Sequence, residues 1–282
     1  MKTDAATAAA PEWTTTRGDA WARRWRDTDR GLSGLAPRLL SAITGSAPTG
    51  PFKACDVGCG PGSTALAVAE ARPDARITAC DISPALVQLA RQRTAPLQRI
   101  QVIEGDAEAV VRREGPFDLI FSRHGVMFFP DPKRAFRSLR DATNAGGSMV
   151  FSCFRDWASN AWASELANAA AGEGVSPPGH EPSGFAFADP DYVLAILEAA
   201  GWNRAEPHAV DFTYLAGVGP GAVENALAYL AEIGPASRIV QSLPDHERTD
   251  ALERMRRVIE RQFDGDKVAF PAAAWIWRAV AA

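Results

Sequence analysis

Three glycines that alternate with other residues form the stretch best suited to hold a ligand. Gly58, Gly60 and Gly62 follow the short apolar segment 54–57 and precede a helical pattern at 65–72. Because glycine lets the backbone approach a bound molecule closely, this arrangement predicts a nucleotide-like cofactor at the carboxyl end of a strand. The spacing differs from the dinucleotide fingerprint, since Ser63 stands where that pattern has its third glycine or alanine.

Acidic residues end the first two predicted strands. Asp56 lies two residues before Gly58, just before the glycine loop, where a carboxylate would attract a cationic group and repel a pyrophosphate. Asp81 ends the second strand, 19 residues after Gly62, and an ionised carboxylate there can accept hydrogen bonds from both hydroxyls of a ribose. A turn or a helix cap is the alternative role for Asp81.

The acidic residue and the alternating glycines resemble the first motif of class I S-adenosylmethionine-dependent methyltransferases. This resemblance implies S-adenosylmethionine as the cofactor and an adenine contact for Asp106, although a turn with a helix N-cap would use the same residue. It also implies that backbone carbonyls near Ser122 and Arg123 receive the methionine ammonium. The residues predicted to bind the cofactor are Asp56, Gly58, Cys59, Gly60, Gly62, Asp81, Ile82, Asp106, Ala107, Ser122, Arg123 and Trp25.

The fourth strand and its following loop extend the resemblance as far as residue 129. In the family this loop faces the transferred methyl group, and here it contains His124. An imidazole could take a proton from a hydroxyl or amine acceptor, and local packing or hydrogen bonding is an equal alternative for His124. Residues 122–125 lack the Asn/Asp-Pro-Pro-aromatic box of methyltransferases that act on nucleic acid bases, which disfavours base methylation.

Short apolar strands that alternate with helices must position these residues. The predicted strands are 53–57, 76–80, 99–103, 117–122, 147–154, 204–214 and 268–280. This alternation predicts an α/β fold, with a doubly wound, mostly parallel, seven-stranded Rossmann-like sheet covered on both faces. The last two strands would form an antiparallel C-terminal hairpin, split by an inserted helical lid.

The predicted helices divide the chain into a flexible tail at 1–17 and a methyltransferase domain at 18–282. Lid insertions are expected at about 155–188 and 216–264. Trp21 and Trp25 lie one turn apart on a predicted helix at 18–30, and they either pin that helix to the core or close it over the cofactor. The other predicted helices are 32–43, 161–171, 190–200, 221–233 and 246–263, and Ser83, Asp131 and Asp189 are predicted helix caps followed by proline.

Aromatic residues in the inserted segments indicate a small, partly apolar methyl acceptor, although packing of a lid would use the same side chains. They are Trp157, Trp162, Phe185, Phe187, Tyr214 and Tyr229.

The composition of the 282 residues sets broader limits. A net charge of −4 does not favour nucleic acid or an anionic membrane as a partner. The apolar run 268–277 is far shorter than the roughly 18 residues of a membrane span. The four cysteines have no metal-ligand spacing, which indicates buried thiols in a reducing compartment and predicts no metal. We therefore expect a soluble, cytoplasmic protein, with a homodimer left open.

These patterns predict an S-adenosylmethionine-dependent methyltransferase that transfers a methyl group to a small molecule by in-line displacement. Two alternatives remain open. A nicotinamide-dependent oxidoreductase would bind a dinucleotide, and a non-catalytic protein would bind the cofactor or a metabolite without methyl turnover. The sequence fixes neither the acceptor nor the atom that is methylated.

Overall fold

Seven strands form the centre of the computed structural model, which describes residues 12–282. They are β1 (Phe52–Val57), β2 (Ala75–Asp81), β3 (Ile100–Glu104), β4 (Phe117–Arg123), β5 (Thr143–Phe154), β6 (Trp202–Val218) and β7 (Lys267–Ala281). All seven predicted strands are confirmed, and β5 and β6 extend furthest beyond the predicted bounds.

The strands form one sheet in the order β3-β2-β1-β4-β5-β7-β6. β1 to β5 pair in parallel, whereas β7 runs antiparallel to both β5 and β6. The predicted sheet and its C-terminal hairpin are therefore confirmed. The strand order reverses between β1 and β4, and ligands of open α/β sheets bind at such a switch point, outside the carboxyl ends of the strands.

Twelve helices of the described residues cover the sheet. They are α1 (Thr16–Arg23), α2 (Trp25–Gly31), α3 (Ala36–Ser46), α4 (Ser63–Ala71), α5 (Pro84–Thr94), α6 (Ala107–Glu114), α7 (Pro132–Asp141), α8 (Ala161–Ala171), α9 (Pro190–Ala199), α10 (Ala222–Leu230), α11 (Pro235–Ser242) and α12 (Asp245–Arg261). Side chains of the three predicted caps accept hydrogen bonds from the first turns of α5, α7 and α9, and this confirms them.

The predicted helix at 18–30 is two helices, which separate at Arg24. The break has a packing reason, because α1 contacts α5 while α2 contacts β6. Of the predicted tail, residues 1–11 lie outside the described residues. Trp13 makes an edge contact with Phe128, with ring centroids 4.9 Å apart, and α1 begins at Thr16.

Two groups of helices interrupt the last three strands. α8 and α9 lie between β5 and β6, and α10, α11 and α12 lie between β6 and β7. Both α11 and α12 pack on α8, and Arg254 of α12 donates to the carbonyl oxygens of Ala169 and Ala170 at 2.7 and 2.8 Å. The two insertions therefore contact each other above the sheet's antiparallel side.

The sheet interior is apolar. Phe151 of β5 stacks on Trp277 of β7, with ring centroids 6.1 Å apart, and both side chains are fully buried. All four cysteines are buried free thiols.

Within residues 12–282, no helix combines the length and the apolar character that crossing a membrane requires.

Candidate functional site

The glycine loop after β1 has the backbone conformation that its sequence predicts. Gly58, Gly60 and Gly62 have φ values of 64°, 53° and 79°, in the left-handed region that glycine tolerates best. The Cys59 N–H donates to the Cys80 carbonyl oxygen at 2.9 Å, which ties the loop to β2. No atom lies within 4 Å of a Cβ built on Gly60, so that position leaves room for a ligand.

Asp56, at the end of β1, carries a buried carboxylate. Neither of its oxygens has a hydrogen-bond partner among the described residues. Burial raises the pKa of Asp56 to about 8. The Arg123 guanidinium and the Ala65 amide limit this rise, although the amide lies nearby without the geometry of a hydrogen bond. A buried carboxylate without a partner is costly, so this position suits a cationic group on a ligand.

Asp81 lies beside the glycine loop at the end of β2. Its Oδ2 accepts the Gly60 N–H at 2.8 Å and its Oδ1 accepts the Ser83 N–H at 2.9 Å. Burial raises the pKa of Asp81, while the amides of Ser83, Gly60 and the half-buried Ile82 offset part of the rise. Each carboxylate oxygen keeps further acceptor capacity, so a diol can bind at the same carboxylate that orders the loop.

The loop after β4 touches the glycine loop directly. The Ser122 hydroxyl donates to the Val57 carbonyl oxygen at 2.7 Å and accepts the Gly125 N–H at 3.2 Å. A Cβ on Gly58 would lie 3.0 Å from the Gly125 Cα. The two loops are therefore in direct contact. The ammonium contact predicted for carbonyls near Ser122 and Arg123 stays a prediction.

His124 is buried in this second loop, with a φ of 59° that is uncommon for a residue other than glycine. Its Nδ1 lies 2.9 Å from the Ser152 Oγ, and its Nε2 is buried without a partner among the described residues. The ring contacts Phe154, with centroids 4.2 Å apart. Burial, and secondly Arg123, lower the pKa of His124 to about 3, so the ring is neutral at physiological pH.

A polar network lies at the outer side of the glycine loop. Asp29 of α2 accepts hydrogen bonds from Arg123 at 2.6 Å and from the Ser63 hydroxyl at 2.5 Å. Arg93 of α5 donates to the Ser63 Oγ at 2.8 Å, and its guanidinium lies 3.9 Å from the ring centroid of Trp25. Trp25 therefore packs on a cation at the rim of the site.

We name α1 and α2 together, residues 16–31, the N-terminal cover. Gly18 of α1 lies against α5, because a Cβ at this position would be 2.3 Å from the Ser83 Oγ. Arg30 of α2 donates to the Ala216 carbonyl oxygen of β6 at 2.6 Å. The N-terminal cover therefore contacts both α5, which lies beside the glycine loop, and β6, the strand before the second insertion.

Comparisons with known proteins agree with this geometry. Residues 54–147 match the profile of a family described as a methyltransferase domain. Residues 54–147 therefore carry the sequence pattern of a methyltransferase domain. A rice chloroplastic 2-methyl-6-phytyl-1,4-hydroquinone methyltransferase 1 is 35% identical over 34% of this chain and 29% of its own. Malonyl-[acyl-carrier protein] O-methyltransferase 1 of Ilyobacter polytropus is 31% identical over 43% of this chain and 44% of its own.

The alignments with these two methyltransferases thus span less than half of either relative.

Among solved structures, phosphoethanolamine N-methyltransferase 2 of Haemonchus contortus in complex with S-adenosyl-L-methionine has a TM-score of 0.55. It is 13% identical, and the match covers 97% of this chain and 60% of that one. At this identity, the likeness shows that the methyltransferase fold is shared.

Asp106 of the methyltransferase domain is an exposed N-cap. Its Oδ1 accepts the Ala109 N–H at 3.1 Å, which confirms the capping alternative, while its adenine contact stays a prediction. Ala107 follows it as the first residue of α6 and is half-buried.

The sequence analysis missed Asp29 and Arg93, which lie beside the glycine loop. Asp29 lies 34 residues before Ser63 and 94 residues before Arg123, so no local spacing connects these side chains. The one available signal was the position of Asp29 one turn beyond Trp25, on the same face of a helix predicted to lie near the cofactor.

The predicted acceptor-side aromatic residues mostly pack on one another. Trp162 stacks on Tyr214 with centroids 4.4 Å apart and lies 5.1 Å from Phe154. The hydroxyls of Tyr214 and Tyr229 are 2.6 Å apart and buried. Phe187 lies apart from this cluster, against the core residue Phe136 at 5.9 Å. The packing alternative is confirmed, and acceptor binding by these residues stays a prediction.

Two cavities lie near α3. One of about 490 Å³ separates α3 from β6 and β7, away from the glycine loop. The other, of about 270 Å³, is bounded by Asp29, Ser63 and Arg123 and adjoins the loop. Among residues 12–282, no group of three or more His, Cys, Asp and Glu side chains could hold a metal ion.

Proposed function

We propose that this protein is an S-adenosylmethionine-dependent methyltransferase that acts on a small molecule by in-line displacement. The observation that carries the proposal is the Asp56 carboxylate, buried and unpartnered among the described residues, next to a glycine loop at the switch point of the sheet. A dinucleotide would bring a pyrophosphate to this carboxylate and be repelled. The methionine ammonium of S-adenosylmethionine would instead supply the cation that Asp56 lacks.

The chain has a suitable carboxylate for the ribose of this cofactor and another for its methionine ammonium. Asp81 accepts the ribose diol while it holds the Gly60 amide, and Asp56 receives the ammonium. When bound, S-adenosylmethionine supplies a methyl group activated by the positive charge on sulfur. The protein's part is to align the acceptor with that methyl carbon and to exclude water, and such positioning can supply much of the acceleration.

The N-terminal cover excludes water in this proposal. Asp29 links it to both ligand loops through Ser63 and Arg123, and Trp25 closes the rim above Arg93. Direct contact between Trp25 and the cofactor is part of the proposal. Since the loops after β1 and β4 touch at Gly58 and Gly125, an acceptor bound near the second loop lies close to a cofactor on the first.

We further propose that residues 18–282 act as one methyltransferase domain, with the acceptor bound beneath the insertions at about 155–188 and 216–264. Buried aromatic side chains on the acceptor side, from Phe154 to Tyr214, favour a partly apolar small molecule. The two curated relatives act, by their names, on a 2-methyl-6-phytyl-1,4-hydroquinone and on a malonyl-[acyl-carrier protein]. An acceptor with an oxygen function is consistent with both names.

Calorimetric titration with S-adenosylhomocysteine, and in parallel with NADH, tests the cofactor. Micromolar binding of S-adenosylhomocysteine alone is the expected result, and NADH binding alone would overturn the proposal. Transfer of label from methyl-labelled S-adenosylmethionine to small molecules of a cell extract tests turnover. Binding without any transfer would favour the non-catalytic alternative.

Asp81→Ala should weaken S-adenosylhomocysteine binding by about 1.5–3 kcal/mol, the range for a hydrogen bond to a charged group. Asp74→Ala is the matched control, because Asp74 precedes the opposite end of the same strand and pairs with Arg72. Calorimetry of both variants measures the difference. Equal affinities would remove Asp81 from the cofactor site.

A further inference from the structure

The imidazole of His124 has a hydrogen-bonding pattern that determines its chemistry. Among residues 12–282, the Ser152 hydroxyl has one hydrogen-bond partner, the His124 Nδ1 at 2.9 Å, and Ser152 is fully buried. The His124 Nε2 is also buried and has no partner in that part of the chain. The backbone of His124 is left-handed. The next residue, Gly125, holds it in place, because a Cβ on Gly125 would lie 2.7 Å from the Val57 carbonyl oxygen and 2.9 Å from the Ser122 Oγ. Strained residues held in this way cluster at functional sites.

The direction of the bond between Ser152 and His124 follows from counting donors. If the Ser152 hydroxyl donates to Nδ1, its hydrogen is satisfied and the ring carries its proton on Nε2. If Nδ1 donates instead, the buried hydroxyl hydrogen has no acceptor, and Nε2 presents an unpaired lone pair as well. Each arrangement leaves one buried donor unpaired, the Nε2–H in the first and the Ser152 hydroxyl in the second. Ser152 is fully buried, so no ligand can reach its hydroxyl, whereas a ligand oxygen can accept the Nε2–H of His124. Because a buried unpaired donor is costly, the first arrangement is favoured, since only there can a bound molecule satisfy every donor.

We propose that Ser152 fixes His124 in the Nε2–H form and that His124 donates a hydrogen bond to a negatively charged acceptor oxygen, a carboxylate or a phenolate. This inference rests on the proposed function and names the chemical class of its acceptor. An N–H donor stabilises an anion through a charge-assisted bond. An amine acceptor needs the opposite, since its own N–H groups are donors.

The methyl transfer then needs no general base. One lone pair of the anionic oxygen forms the bond to the methyl carbon, and the electrons of the breaking carbon–sulfur bond return to sulfur. The negative charge on oxygen and the positive charge on sulfur cancel, so no proton leaves the site. Burial and Arg123 lower the pKa of His124 to about 3, which agrees with a neutral donor. In this proposal, Ser152 is a positioning residue that acts through His124.

Nitrogen NMR of the ligand-free protein tests the tautomer without any turnover. Long-range ¹H–¹⁵N spectra resolve both ring nitrogens of the four histidines, and His124→Gln identifies the resonances of His124. We expect a protonated Nε2, a bare Nδ1 and no titration between about pH 5 and pH 8. Protonation on Nδ1, or titration near neutrality, would overturn the proposal.

Ser152 variants test the positioning role. Ser152→Ala should let the Nδ1–H form appear, and Ser152→Thr, which keeps a hydroxyl, should restore the wild-type spectrum. A spectrum unchanged in Ser152→Ala would show that another contact sets the tautomer.

The acceptor class is tested with 4-nitrophenol, whose absorbance reports its ionisation, on protein saturated with S-adenosylhomocysteine. We expect the bound probe to ionise about tenfold more readily than the free probe, one pKa unit, and His124→Phe to remove that shift. Absence of binding, or binding as the neutral phenol, would overturn the acceptor class. Failure of S-adenosylhomocysteine itself to bind would count against the proposed function, while the tautomer result would stand by itself.

Discussion

The carboxyl group of Asp56 meets opposite demands from folding and from ligand binding. In the folded protein its pKa is about 8, whereas an aspartate in an unfolded chain has a pKa near 3.9. Between these values the unfolded state binds fewer protons, so the stability of the ligand-free protein falls as the pH rises from about 4 to about 8. A bound ammonium would favour the ionised carboxylate and reverse this penalty.

Asp56→Asn should therefore stabilise the ligand-free protein and weaken its binding of S-adenosylhomocysteine. We expect the free energy of unfolding in urea to rise by about 1–3 kcal/mol at pH 7 and by less at pH 5. Calorimetry in buffers of different ionisation enthalpy should show proton release on binding to the wild type and none with Asp56→Asn. The control Asp74→Asn removes a half-buried carboxylate that Arg72 pairs, and its stability should show no such gain. A destabilised Asp56→Asn would contradict the assigned cost of burial.

At the scale of elements, the N-terminal cover depends on a close approach at Gly18. A Cβ there would lie 2.2 Å from the Trp13 carbonyl oxygen and 2.3 Å from the Ser83 Oγ. Ser83 also caps α5 and donates its N–H to Asp81. Displacement of α1 would therefore disturb the carboxylate that is proposed to bind the ribose.

Gly18→Ala should destabilise the protein by about 1–3 kcal/mol through overpacking and should increase amide hydrogen exchange in residues 16–31. Gly45→Ala is the matched control, since Gly45 is also helical and has no atom within 4 Å of its missing Cβ. That control should stabilise the protein by about 0.4–1 kcal/mol. Thermal unfolding and exchange measurements separate the two outcomes, and equal effects would show that the cover tolerates a methyl group at Gly18.

The sequence predicted those elements whose signals are local. Strand periodicity and three capping residues followed by proline placed the sheet and the starts of α5, α7 and α9. The helix break at Arg24 and the short α11 were missed, because packing on other elements determines them. The same holds at the site, where Asp56 and Asp81 follow from their strand ends, but Asp29 reaches the loops only through the tertiary fold.

At the scale of the whole molecule, the matched segment 54–147 is smaller than the structural unit that contains it. It ends within β5, which continues to Phe154, and it lacks β7, the antiparallel partner of β5. The segment lacks both Phe151 and Trp277, which stack on each other in the complete sheet. It also lacks residues 148–152 of β5, which pair with β4, so the apolar strand β4 becomes an exposed edge.

A fragment of residues 54–147 should therefore lack fixed tertiary structure, whereas the complete chain should fold. Dispersion of amide resonances and near-ultraviolet circular dichroism measure the difference. A dispersed spectrum from the fragment alone would show that the insertions and the hairpin are dispensable for folding.

The position of Trp25 has an optical consequence. Its indole faces the Arg93 guanidinium at 3.9 Å. Trp21, near the end of the preceding helix α1, lies against Trp13 with ring centroids 5.7 Å apart. Three of the eight tryptophans thus lie at or beside the segment that crosses the proposed cofactor site. Their emission should report on whatever enters beneath them, which gives the protein an intrinsic fluorescent sensor for surveying acceptor molecules before any product has been identified.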